Sequence, residues 1–429
     1  DSQPGKPTRK FSWRNPKPRT SSIRRATSIF GQNLSDETSP ASRFLSIFNS
    51  TTASSTPDAD DEGQEVSDYV IGKTIGYGGS STVKEAHTLE HGRDTTRAVK
   101  IVRKSKGDNA LSDLDHELTI WKCIPSHPHI LGLLSVHETD FATFCFMEYA
   151  NLGSVFDVAI KRRRHRSSLA STDPTSPTTT DSNQPPPIPN YVKRRWVWEL
   201  CGALRFLHQD LRIVHGDIKP ENCLLHVDSS SAADQIRYIS PDINHATLRL
   251  CDFGMAQFIK YNESPRDDSY DSENNIVLSS PTLSLSPSST NLSQSMTQSM
   301  TELDITGSIP YLSPELLIPR PIDASIGGLA EHPVSPKQDI WALGVFTFVL
   351  FTRHLPFSHS FLPKLQQLIV SGIWTRDLLR KSVIESGDEE REAEKIVSFV
   401  ERCLQKDEFE RWDISEAMQH EMFVGLRNE

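Results

Sequence analysis

Two rhythms of apolar residues run along this chain. Between residues 69 and 102 they come in short alternating stretches: Tyr69-Val70-Ile71-Gly72-Lys73-Thr74-Ile75, Ser81 to Ala86, and Arg97-Ala98-Val99-Lys100-Ile101-Val102. These are rich in β-branched residues and separated by glycines or charges, a pattern that predicts an antiparallel meander. Farther on the spacing lengthens. Asp113 to Cys123 reads as a helix, and Val192, Trp196, Leu200, Leu204 and Leu207 recur at roughly helical intervals, which puts one apolar stripe on a helix ending before His215. Ile340 to Phe351 is apolar nearly all round, the signature of a helix buried at the centre of a larger unit. The expected fold is therefore α+β, a small β-rich half followed by a larger helical half, with no internal repeats.

Composition changes how much of the chain should be ordered. Residues 1–66 are rich in Ser, Thr, Pro and Arg, with apolar residues too sparse to offset ordering entropy, and are expected to be disordered. Insertions of similar composition are expected near 161–190, 227–246, 260–303 and 319–336. Loop closure costs only about 0.6 kcal/mol more per doubling of length, so these read as decorations on one domain, residues 67–424, of about 280 ordered residues.

Charge and cysteine usage exclude some classes of function. The net charge of −10 argues against a body that grips nucleic acid, although residues 1–30 carry eight Lys/Arg against only Asp1. Six cysteines without a C-x-x-C pair fit buried thiols in a reducing compartment and make a zinc site unlikely on spacing grounds. The longest apolar run is far short of the roughly 20 residues that span a bilayer. A soluble protein of the cytoplasm, or of the nucleus, is expected; because the chain begins at Asp1, a missing signal peptide carries little weight.

The chemistry-bearing residues cluster in a few places. His215-Gly216-Asp217-Ile218-Lys219-Pro220-Glu221-Asn222 and Asp252-Phe253-Gly254 set two acids, a lysine and an amide around what could be one phosphate site. Phosphoryl transfer needs a carboxylate to orient the attacking hydroxyl, a cation on the moving group and oxygen ligands for magnesium. Gly76-Tyr77-Gly78-Gly79-Ser80-Ser81-Thr82-Val83 offers backbone N–H groups that phosphate oxygens can approach closely. Taken alone, a glycine cluster is more often a plain turn, a strand lysine a solvated group, and an Asp or Asn a cap or turn residue. The ordered set is what carries weight.

That set resembles the eukaryotic protein kinase superfamily, serine/threonine type, over roughly residues 68–424. The resemblance implies a bilobal fold with an N-lobe at 67–147, a hinge at 148–151 and a C-lobe at 152–424. Gly76-x-Gly78-x-x-Ser81-x-Val83 looks like the glycine-rich loop, with Ser81 in place of the third glycine. By similarity Lys100, in Ala98-Val99-Lys100, pairs the nucleotide phosphates and Glu117 holds it; Met147 is the gatekeeper, and the backbones of Glu148 and Ala150 bond the adenine edge. Val83, Ala98, Gly76 and Gly78 join them in the implied ATP site. Asp217 resembles the group that accepts the hydroxyl proton and Lys219 the cation on the moving phosphate, while Asn222 and Asp252 would ligate Mg2+. Gly307 to Glu315 resembles the end of the activation segment, with Ser308 beside Asp217 and Lys219; Glu315 would pair with Arg411, and Asp339 would anchor the catalytic loop.

The departures are informative too. An Arg that in many relatives binds an activation-segment phosphate is replaced by Gly216, and Asp304 stands near the usual phosphorylated Thr. Activity is thus expected not to depend on phosphorylation there, an expectation that loss of activity on phosphatase treatment would contradict. Ser264-Pro265, Ser280-Pro281 and Ser286-Pro287 look like acceptor sites for upstream kinases, and Lys161 to Arg166 like a basic patch for import or docking. The implied partners are protein substrates with Ser/Thr acceptors, with no nucleic acid and no membrane span. The alternative, a pseudokinase-like scaffold, is disfavoured because Lys100, Glu117, Asp217, Asn222 and Asp252 are all present.

Overall fold

The computed structural model describes residues 61–90, 92–161, 187–228, 243–259, 308–318 and 334–427. The tail through residue 60, Arg162 to Arg166, the three Ser-Pro steps, Asp304 and Gly307 lie outside the described residues.

The meander is present and longer than its apolar segments. β1 (Glu65–Val66), β2 (Tyr69–Tyr77), β3 (Ser81–Glu90) and β4 (Arg93–Arg103) lead to the helix α1 (Asp108–Trp121), after which β5 (Leu133–Glu138) and β6 (Ala142–Met147) complete a six-stranded antiparallel sheet of order β1-β2-β3-β4-β6-β5. The polar ends of β3 and β4 stay in the sheet because they pair with each other, from Ser81↔Val102 out to Glu90↔Arg93. Successive strand residues face opposite sides. On β4, Val99 and Ile101 therefore enter a small core with Ile71, Phe144 and Phe146, whereas Ala98 and Val102 join the main core. Lys100 shares the face of Ala98 and Val102. That parity points its ammonium inward, under α1.

The larger half is built round helices. β7 (Gly153–Ser154) precedes α2 (Asn190–Arg205), which continues into a π-turn over Phe206–Asp210. Next come three short strands: β8 (Ile213–Val214), β9 (Cys223–His226) and β10 (Thr247–Leu250). They are followed by β11 (Gln257–Phe258), which pairs back on β8. The helices α3 (Pro314–Leu317), α4 (Pro336–Thr352), α5 (Leu362–Ser371), α6 (Arg376–Glu385), α7 (Glu390–Cys403) and α8 (Ile414–Met418) complete it. α4 is the buried helix that its uniform apolarity predicts. Ser335 caps it by accepting from the Lys337 N–H, Pro336 sits at its first turn, and every residue from Asp339 to Thr352 is buried. Each large apolar side chain so buried contributes about 1.5–3 kcal/mol. Gly344 lets α7 approach: a Cβ there would stand 2.7 Å from Cys403 Cβ.

Several boundaries shift. The sheet begins at Glu65 rather than 67, and Arg427 still bonds the carbonyl of His420, beyond the expected end at 424. Residues 243–246 belong to the fold and not to an insertion: Ala246 is buried, and its carbonyl accepts from Arg195 and Trp196. Asn190, at the edge of another expected insertion, starts α2 and donates to the Val383 carbonyl. Pro336, at the edge of a third, opens α4. Low-complexity composition blends into Ser, Asn and Pro at helix starts, so composition alone places these edges too far in. Of the six thiols, Cys123 is exposed, contrary to the expectation of burial, because it follows the last turn of α1. Among the described residues, no helix is long and apolar enough to cross a membrane.

Candidate active site

The segment from His215 to Asn222 follows β8 and is held from below by α4. Asp339, in the first turn of α4, accepts from His215 N at 2.7 Å, Gly216 N at 2.8 Å and His208 Nε2 at 2.8 Å. Burial alone would raise this carboxyl; the bond and charge of His208, with His215 behind it, outweigh that and hold it below the usual carboxylate range. An ionised, fully hydrogen-bonded group thus shapes the loop from beneath.

Above it, Asp217 is the hub. Its Oδ2 accepts from Lys219 Nζ at 2.6 Å and Asn222 Nδ2 at 2.8 Å, and its Oδ1 accepts from Ser308 Oγ at 2.9 Å. Lys219 Nζ also donates to Ser308 Oγ, at 3.0 Å. A serine hydroxyl therefore already sits between the carboxylate and the ammonium. Asn222 Nδ2 donates to both the Asp217 carbonyl and its side chain, at 2.9 and 2.8 Å, so its amide oxygen is the atom that can act as a ligand.

Asp252 is brought beside Asn222 by a backbone bond: Cys251 N donates to the Asn222 carbonyl at 2.9 Å. Its φ of +69° is left-handed, a conformation that costs a non-glycine residue energy and is found where surrounding structure enforces it. Desolvation in the cleft would raise its carboxyl; Lys100 and His215, with Lys219 adding to them, hold it below the ordinary range. Next to it, Phe253 is buried between Trp121 and His215, with ring centroids 6.1 and 5.2 Å away. This aromatic column ties α1 to the loop.

From the sheet comes Lys100, whose Nζ donates to Glu117 Oε2 at 2.5 Å and Oε1 at 2.7 Å. Burial pulls the ammonium's pKa down, but Glu117 and Asp252 outweigh it and hold it above the usual lysine value. The ammonium is thus charged, bonded to Glu117 and attracted as well by the more distant Asp252. Gly76 pairs with Val83 across the β2–β3 turn, and Gly78 N donates to Ser81 O at 2.9 Å. A Cβ on Gly78 would come 2.6 Å from Ser81 Oγ. With Ser81 Oγ in this position, a side chain at Gly78 would force it to another rotamer.

The hinge narrows which backbone atoms remain for a ligand. Ala98 lies opposite Met147, as adjoining strands require. The Glu148 N–H, however, already donates to the Gly132 carbonyl at 3.0 Å, so the carbonyl of Glu148 and the amide of Ala150 are what remain for a ligand edge. The Glu148 carboxylate accepts from Gly132 N at 3.1 Å and Arg249 Nη1 at 2.7 Å, and Tyr149 OH donates to Glu85 Oε1 at 3.2 Å. No sequence reading found these ties. Only the i+1 and i+2 placement of two polar side chains after a buried strand hinted that they must find partners.

Beyond Ser308, Glu315 forms a two-pronged pair with Arg411, Nη1–Oε1 2.8 Å and Nη2–Oε2 2.9 Å, which fixes the segment carrying Ser308. The structure thus gathers Asp217, Lys219, Asn222, Asp252, Lys100, Glu117, the glycine turn and the hinge around one cleft between a sheet and a helical body.

This arrangement, a small antiparallel sheet joined to a helical body with the acid–base cluster between them, is a bilobal α+β fold. The sequence model of the protein kinase domain matches residues 69–423, and this chain belongs to that family. The serine/threonine-protein kinase ATG1 of Kluyveromyces marxianus is 33% identical over 202 residues, 44% of this chain and 23% of that protein. ATG1 of Candida glabrata is 28% identical over 304 residues, 68% of this chain and 26% of that protein. Nitrogen network kinase 1 of Saccharomyces cerevisiae is 28% identical over 250 residues, 54% of this chain and 23% of that protein. In each case the match spans only about a quarter of the relative's length. The expected superfamily and the α+β bilobal fold are both borne out.

Proposed function

We propose that this chain is a serine/threonine protein kinase that transfers the γ-phosphoryl group of ATP to Ser or Thr hydroxyls of protein substrates. The observation that carries this is the Ser308 hydroxyl, held at once by Asp217 and Lys219. A substrate hydroxyl in the same place would give its proton to the Asp217 carboxylate as its oxygen bonds the γ-phosphorus; the bond from that phosphorus to the bridging oxygen breaks, and ADP leaves with the electron pair. Lys219 would offset the charge on the moving group. Lys100, aligned by Glu117, would hold the nucleotide phosphates beneath the Gly76 and Gly78 backbone. Val83 and Ala98 would cover the adenine faces, and the Glu148 carbonyl and Ala150 amide would bond its edge.

The donor set suits magnesium. The amide oxygen of Asn222 and the ionised carboxylate of Asp252, carried on segments joined by a backbone bond, are the hard oxygen ligands that this ion prefers. When bound there, Mg2+ would neutralise phosphate charge. Residence in the cytoplasm or nucleus and upstream kinases at the Ser-Pro steps belong to the same reading; the free state of all six cysteines favours the first.

The test is transfer of label from γ-labelled ATP to a mixed Ser/Thr peptide library. Asp217→Asn should lower the rate about 10²- to 10⁴-fold while MgATP binding persists. A wild-type chain that binds MgATP but labels neither peptide nor itself would instead support the scaffold reading.

A further inference from the structure

The two residues after Asp252-Phe253-Gly254 are gripped from both sides. On one side, the Met255 carbonyl lies against Gly216: a Cβ at Gly216 would stand 2.7 Å from that oxygen, and the φ of +78° there already calls for glycine. On the other, the Ala256 carbonyl is bonded by His116 Nε2 at 2.9 Å. A carbonyl oxygen only accepts, so Nε2 carries the proton.

His116 adjoins Glu117 on α1, whereas Ala256 belongs to the helical half. It is fully buried, its N–H donates to the Phe253 carbonyl at 3.1 Å, and the next residues form β11 against β8. The bond therefore ties the helix that presents Glu117 to a rigid floor. α1 starts at Gly107 without a side-chain cap. If α1 swings, Glu117 leaves Lys100, and Lys100 is then free to turn to Asp252.

We propose that His116 is a positioning residue that straps α1 to the turn after Asp252 and so keeps Lys100 aligned for the nucleotide. This deepens the kinase reading and rests on it. With Gly216 in place of an arginine, this strap holds the active arrangement from within the chain, without a phosphate.

Phosphatase-treated full chain, as wild type, His116→Phe and His116→Gln, tests it. Phenylalanine keeps the ring without the donor; glutamine supplies an amide N–H at similar reach. The Phe variant should lose about 5- to 10-fold in kcat/KM for ATP, the scale of one such hydrogen bond, with KM for peptide unchanged. Gln should restore ATP use to within about twofold. Backbone amides of residues 108–121 should exchange faster in the Phe variant than in the other two, a readout that needs no activity. Equal behaviour of Phe and wild type, or Gln as impaired as Phe, overturns the strap. An inactive wild type with the same exchange pattern overturns the kinase reading and leaves the strap standing.

Discussion

Lys100–Glu117 and Arg411–Glu315 are both acid–base pairs with contacts under 3 Å, yet their surroundings differ in kind. Arg411 is completely buried, and besides Glu315 it donates to the Gln405 and Lys337 carbonyls, at 2.9 and 2.8 Å. Four of its five N–H donors are engaged, and Trp341 lies 5.2 Å beneath it. Lys100 keeps 19% of its side chain accessible, and a second carboxylate, Asp252, also attracts it. A guanidinium in a buried frame can only hold; an ammonium, a compact charge with three rotatable donors, can exchange partners. The first pair is a fixture of the substrate-facing segment. The second is a contact that can change partners, as the proposed role in holding phosphate requires.

Swapping each cation for an apolar side chain of similar length separates these roles. Arg411→Met strands Glu315 and two carbonyls, and should cost about 3–5 kcal/mol of stability, read as a lower denaturation midpoint. Lys100→Met should cost about 10²- to 10³-fold in kcat while the unfolding temperature stays nearly level, because Glu117 can take up a proton once its partner is gone. A large stability loss in Lys100→Met, or a folded but inactive Arg411→Met, would break the distinction. Gly216→Ala probes the floor the two halves share. Its Cβ meets the Met255 carbonyl in a left-handed backbone, so about 1–3 kcal/mol should be lost, with activity falling further than stability.

The smallest effect concerns His127, outside both pairs. Burial, with His129 and Arg205, lowers its pKa from 6.5 to about 4, and its Nδ1 accepts from His129 N at 3.2 Å. The unfolded chain therefore binds more protons than the folded one between those values. Stability from this group is intact above pH 6.5 and declines as pH falls toward 4. His127→Asn, which keeps an acceptor but does not titrate, should flatten the unfolding temperature across that interval. An unchanged slope would count against His127 as the source.

Much of the cleft can be read from local order. Asp217, Lys219 and Asn222 lie within one loop, and their spacing alone places their side chains in reach of each other. Lys100 follows from strand parity, and the buried α4 from its uniform apolarity. The contacts that went unread are the distant ones: His116 to Ala256, Glu148 to Arg249, and Trp121 on Phe253. The first two join residues 140 and 101 positions apart, and each involves a side chain with an equally plausible solvated fate. Asp108 to Ser112 extended α1 without an apolar stripe to announce it, because packing of its later turns carries the polar first turn along.

Apolar periodicity along the chain thus specified the β-then-helical α+β plan, and the ordered motifs, by their resemblance to the kinase superfamily, pointed to the family and to Ser308 beside Asp217. Which histidine ties α1 down, and which partners Glu148 and Trp121 find, depended on where long insertions return the chain. Closing those loops costs little and leaves no periodic trace, so only the packed core selects among the partners they bring together.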